Sequence, residues 1–127
     1  MDENAISRIV VNEALKIHRE LGPGLLESVY EVVLAQALTQ QGLQVERQVK
    51  VPIQYNGISF DEGFRADILI NKKVVLELKS VEQVNKVHHK QLLTYIRLMK
   101  VNLGLLINFN SPLIKDGIHR VVNQLAA

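Results

Sequence analysis

Asp67, Glu77 and Lys79 are the residues whose types and spacing could do chemistry in this chain. Glu77 and Lys79 flank Leu78 in the run Val74-Val75-Leu76-Glu77-Leu78-Lys79-Ser80. The two-residue period of a strand puts carboxylate and ammonium on one face and turns Leu78 to the opposite layer. By itself, Glu-x-Lys is the pattern of an ordinary solvated strand face. Asp67, ten residues earlier among Phe64, Ala66, Ile68, Leu69 and Ile70, changes the reading. If Asn71 to Lys73 form a three-residue loop, Ile70 faces Val74 and Asp67 faces Glu77. A two-residue loop would put the acids on opposite faces unless a bulge compensated.

Facing carboxylates repel unless a cation lies between them or one is protonated. The donor set suits Mg²⁺ or Mn²⁺, with hard oxygens, no soft ligand and room for water and phosphate. The backbone carbonyl of Leu78, between the two side chains, is a further ligand. Lys79 could orient or help deprotonate a water, or offset charge developing on phosphorus. This is the chemistry of phosphodiester hydrolysis.

Composition bounds what else the chain can be. Its 127 residues are 47% hydrophobic with nearly balanced charge, which predicts one domain over 1–127 with a real core rather than disorder. The absence of Cys removes disulfides, thiolate zinc sites, iron–sulfur clusters and cysteine nucleophiles. The acidic Met1-Asp2-Glu3-Asn4 leads into an amphipathic segment interrupted by Arg8, Lys16 and Arg19, unlike a signal peptide. No apolar run approaches the roughly 20 residues of a membrane span, so a cytoplasmic protein without membrane partners is expected. Residues 65–100 carry eight Lys or Arg, Arg65 and Lys90 among them, against three acids, while acids exceed bases elsewhere. That segregation points to a polyanionic partner at the middle of the sequence, although surface lysines alone also produce it.

The elements that must position these residues follow from periodicity. Ile6, Ile9, Val10, Ala14, Ile17 and Leu21 mark a helix over about 5–20, ended by Gly22-Pro23-Gly24. A second covers about 25–41, from Leu25 to a left-handed Gly42. Val45 to Val51 alternate as a strand; Asn56-Gly57 is a hairpin turn; a kink at Asp61-Glu62-Gly63 precedes a second strand to Ile70. With Val74–Ser80 these make a three-strand meander. Asn85 caps a helix over about 86–100, and the apolar run Val101 to Phe109 reads as a strand covered on both faces. The intervening helix implies a right-handed parallel crossover. Residues 117–123 read as a short edge strand or helical turn.

Asp67 followed by Glu77-x-Lys79 on such a strand pair resembles the core of the PD-(D/E)XK nuclease superfamily. Gln91-Leu92-Leu93-Thr94-Tyr95 is similar to the Q-x-x-x-Y element after the lysine of RecB-like nucleases. Gly24-Leu25-Leu26-Glu27-Ser28-Val29-Tyr30 matches the G-x-x-E-x-x-Y signature of the GxxExxY proteins. The resemblance implies an α/β fold with a restriction-endonuclease-like αβββαβ core, a mixed central sheet flanked by helices. It also implies that Glu27 joins Asp67 and Glu77 as a metal ligand. Without the resemblance, Glu27 reads first as an acid meeting the dipole of a helix's first turn. Gln91 and Tyr95, at i and i+4, can face the same cleft, and His88, a turn before Gln91, is either a phosphate contact or a packing residue. Tyr30 fits a core position with its hydroxyl at the rim. Ala66 stands where the superfamily name has Pro, and His18, before the Gly-Pro-Gly break, does not match the upstream histidine of many RecB-like nucleases.

The expected function is a Mg²⁺- or Mn²⁺-dependent nuclease acting on DNA. Asp67, Glu77, Lys79, Glu27 and Gln91 would be catalytic, with Tyr95, His88, Lys90 and Arg65 on the nucleic acid. A homodimer would supply the second site that double-strand cleavage needs. The alternative is a catalytically silent nucleic-acid-binding or partner module on the same fold. A surface strand whose acids never meet is the third possibility.

Overall fold

The structure, a computed structural model, describes residues 1–124. Asp2 opens α1 (Glu3–Leu21) by accepting from Ala5 N–H at 2.8 Å, and Gly22, at φ +73°, ends it. Then follow α2 (Glu27–Gln40), β1 (Val45–Tyr55), β2 (Ile58–Ile70), β3 (Val74–Lys79), α3 (Lys86–Met99), β4 (Leu103–Asn108) and β5 (Ile118–Val122). The α/β expectation holds, with a mixed five-stranded sheet in the order β1-β2-β3-β4-β5. Only β3 and β4 are parallel, joined through α3. The C-terminal segment resolves into a 3₁₀ turn over Ile114–Gly117 followed by the edge strand β5.

Helices cover both faces. Ile6, Val10, Ala14 and Ile17 of α1 and Leu34 and Leu38 of α2 pack on Ile68, Ile70, Leu76, Leu78, Leu105 and Ile107. On the other face Leu92 and Ile96 of α3 meet Leu69, Val75 and Leu106. Alternate residues of β3 and β4 serve the two cores, which is why these strands read as unbroken apolar runs. At Gly104 the helix comes close enough that an added Cβ would lie 2.9 Å from the Leu92 side chain. No helix among the described residues is long and apolar enough to cross a membrane.

Turns set the registers. Asn56 (φ +49°) and Gly57 (φ +76°) have the paired positive φ of a type I′ hairpin. Asn71 and Lys72, also at positive φ, make the three-residue loop that pairs Ile70 with Val74 and Ile68 with Leu76. The kink expected at Asp61-Glu62-Gly63 is present as a bulge inside β2: Val51 pairs with Phe64 and Ile53 with Phe60, so these three residues stand opposite Pro52 alone. On β1, opposite this bulge, Pro52 has no N–H for the ladder.

Candidate active site

The site grows from a fork between β2 and β3. Their ladder stops at the Ile68–Leu76 pair, and the next backbone N–H groups of both strands turn to side chains. Asp67 N–H donates to Glu77 Oε1 at 3.1 Å, and Leu78 N–H donates to Asp67 Oδ2 at 2.9 Å. Each strand's carboxylate thus closes the other's open backbone, bringing the two acids together as the three-residue loop requires.

Glu77 is 5% exposed. Burial, reinforced by the negative charge of Asp67, pushes its carboxyl up to about 8. Burial also raises Asp67, opposed by the Leu78 N–H and supported by the charge of Glu31. Lys79 lowers both by its charge, without an ion pair to either among the described residues. The result is a desolvated acid pair in need of positive charge. Tyr95 of α3 feels the same pair: burial, then Glu77 and Asp67, raise its phenol. Its ring stacks on Phe64 of β2 with centroids 3.9 Å apart.

Glu27 is the first residue of α2, and its Oε2 accepts from Ser80 N–H at 3.2 Å, just past Lys79. Ser80 Oγ donates to the Leu25 carbonyl at 2.8 Å, fastening the α1–α2 loop to the end of β3. Glu27 and Asp67 line one open cleft of about 420 Å³. Yet among the described residues no three His, Cys, Asp or Glu are arranged to hold a metal ion, so the set Glu27, Asp67 and Glu77 is not gathered at one point. Asp67 and Glu77 meet; Glu27 stands at the rim.

Tyr30 is fully buried, stacked on Phe109 at 4.3 Å. Its hydroxyl donates to the Gly22 carbonyl at 2.6 Å and accepts from Leu25 N–H at 3.1 Å. The Gly24, Glu27, Tyr30 motif therefore divides its labour: Tyr30 latches the loop, Gly24 turns it at φ +99°, and Glu27 reaches β3. Tyr30→Phe keeps the stack and loses both hydroxyl bonds. It is expected to lower unfolding free energy by about 1–2 kcal/mol in urea titrations, with faster hydrogen exchange over residues 22–27.

The remaining candidates lie around this centre. Gln91 is exposed one turn before Tyr95 on α3. His88 completes a capping box: its Nδ1 accepts from Asn85 N–H at 3.1 Å while Asn85 Oδ1 takes the Val87 and His88 amides. Lys90 is exposed, sharing a stripe of α3 with Lys86 and Arg97 rather than with Gln91 and Tyr95. Arg65 pairs with Glu62 on the surface of β2.

Three neighbours carry no signal in the motifs. Glu31, one turn beyond Glu27, is 5% exposed and holds both Arg47 and Gln48. Arg47 approaches its Oε2 through Nε at 3.0 Å and through the terminal guanidinium at 2.9 Å, and Gln48 Nε2 donates to Oε1 at 2.8 Å. The i, i+4 spacing of Glu27 and Glu31 could have suggested the first; nothing local points to Arg47 or Gln48.

No curated protein and no solved structure matches the chain. The sequence model of the PD-(D/E)XK nuclease superfamily, whose members generally hydrolyse phosphodiester bonds, does match, over residues 4–121. That span runs from the first turn of α1 into β5 and includes the fork with its acids and lysine, and the chain belongs to the PD-(D/E)XK nuclease superfamily.

Proposed function

We propose that the protein is a divalent-metal-dependent nuclease hydrolysing phosphodiester bonds in DNA, with residues 1–127 acting as one domain. The observation that carries this is the buried Asp67–Glu77 pair in the strand fork with Lys79 beside it. The residues fit Mg²⁺ or Mn²⁺: two hard carboxylates whose mutual repulsion a cation would relieve, and space for the waters such ions retain. The Leu78 carbonyl supports the same fit. A strand residue projects N–H and C=O to one edge, and Leu78 N–H already points at Asp67 in the fork. Glu27 adds a carboxylate from the rim.

Bound there, a divalent cation would acidify water and offset phosphate charge. Lys79 orients the attacking water and balances the charge that grows on the phosphate oxygens. Gln91 and Tyr95 hold the phosphate from the α3 side. Lys90 and Arg65 meet the backbone further out. His88, with Nδ1 accepting from Asn85, keeps its proton on Nε2 and can donate it to a phosphate. The Gly24, Glu27, Tyr30 loop and the Gln91, Tyr95 pair support placing the chain in the GxxExxY branch, close to RecB-like nucleases. Two copies acting together would supply the second site for cutting both strands.

The test is cleavage of supercoiled, linear and single-stranded DNA in Mg²⁺, Mn²⁺ or EDTA, beside a crystal soaked in Mn²⁺. Product in either metal but not in EDTA, with anomalous signal at Asp67 and Glu77, is expected. DNA binding without product in any metal would replace this reading by the silent nucleic-acid-binding or partner module.

A further inference from the structure

Gln48 has φ +51° midway along β1, although it is not glycine. A left-handed backbone inside a strand is uncommon for an L residue and is strained. On either side of it β1 pairs with β2 in an unchanged register, Arg47 with Ile68 and Val49 with Ala66, so no residue has been inserted. The chain turns over in place. Val45 packs with the α1–α2 core and Val49 with the α3 core; opposite them Ile68 and Ile70 belong to the first and Ala66 to the second. Residues two apart in an unbroken strand share a face. Both strands therefore reverse their faces at Gln48 and Asp67.

The reversal has a chemical result. Gln48 Nε2 donates to Glu31 Oε1 at 2.8 Å and reaches Asp67 Oδ1 at 3.4 Å, while Asp67 Oδ2 accepts from Leu78 N–H. Glu31 is itself fixed by Arg47. The Asp67 carboxylate is thus held at both oxygens, from β3 on one side and from β1 on the other. A neutral amide suits the second position, because a lysine or arginine there would cancel the charge that a cation needs.

We propose that Gln48 is a positioning residue, its left-handed backbone aiming the side-chain amide between Glu31 and Asp67 so that Asp67 presents its carboxylate in one direction to a divalent cation. This rests on the nuclease reading above. The test uses Gln48→Gly, which removes the strain with the amide, and Gln48→Asn, which tolerates the backbone but is a methylene too short to reach both acids. Both are expected to melt at or above the wild-type temperature, while the Mn²⁺ dissociation constant, measured by calorimetry on the full chain, rises about 10-fold or more. A crystal structure of metal-free Gln48→Gly should show the Asp67 carboxyl turned away from Leu78 N–H. Wild-type manganese affinity in both variants, with Asp67 unmoved in Gln48→Gly, overturns the proposal. Should the wild-type protein bind no manganese, the nuclease reading falls, and the Asp67 orientation in Gln48→Gly alone decides whether Gln48 positions it.

Discussion

Lys79→Met is expected to leave divalent-metal binding intact and to lower DNA cleavage by about 10²–10⁴-fold, the usual range for a group that moves or steadies a proton in a transition state. The side chain follows Glu77 by two residues on β3 and acts on both carboxylates by charge alone. Losing it should cost little stability, because it is half-buried and makes no ion pair among the described residues. Lys79→Arg separates two roles: it restores the charge without a readily transferable proton. Recovery to within tenfold of wild type assigns charge compensation, and failure to recover assigns the proton. Full activity in Lys79→Met would remove the lysine from the mechanism.

Glu77→Gln should change stability and metal binding in opposite directions. With its carboxyl raised to about 8, Glu77 keeps its proton in the folded chain at pH values where the unfolded chain has lost it. Between the ordinary value near 4.5 and 8 the native state holds more protons, so stability from this group is complete below pH 4.5 and is lost as pH rises through 8. Urea titrations in EDTA should show unfolding free energy falling over that window, with a slope of up to about 1.4 kcal/mol per pH unit. Glu77→Gln flattens the slope and stabilises the metal-free protein at pH 8 and above. The same change removes a ligand, so Mn²⁺ no longer raises the melting temperature and cleavage is lost. A pH-independent wild-type stability that the substitution leaves unaltered would show that the carboxyl is not desolvated.

The fold is legible in the residues because its strongest signals are local. Helical spacing marks α1 and α2 and Asn56-Gly57 marks the hairpin, whereas the parity that joins Asp67 to Glu77 stays open in the sequence between a two- and a three-residue loop until the positive φ of Asn71 and Lys72 sets it. The lysine follows by strand periodicity alone. What the sequence hides is set by contacts between distant segments. Glu31 looks like any helix acid until Arg47 and Gln48, sixteen and seventeen residues on, fold over it. The left-handed backbone of Gln48 has no composition cue, since glycine or asparagine is the residue type that announces such a conformation. His88 invites a phosphate contact by its place on α3, yet Asn85 and His88 also stand at the N-cap and N3 spacing of a capping box, and that local pattern is the one the fold uses.

β1, eleven residues long, is one of the two edge strands of the sheet, and the alternate backbone groups it turns away from β2 are the kind of template on which chains stack into aggregates. Gln48 breaks that edge near its middle and Pro52, lacking an N–H, breaks it again four residues later. A strand arriving from another molecule would find only short stretches to hydrogen-bond. The backbone reversal that serves the acid pair therefore also guards this edge of the sheet against zipping copies together, and the short strand β5 is the edge left on the opposite side.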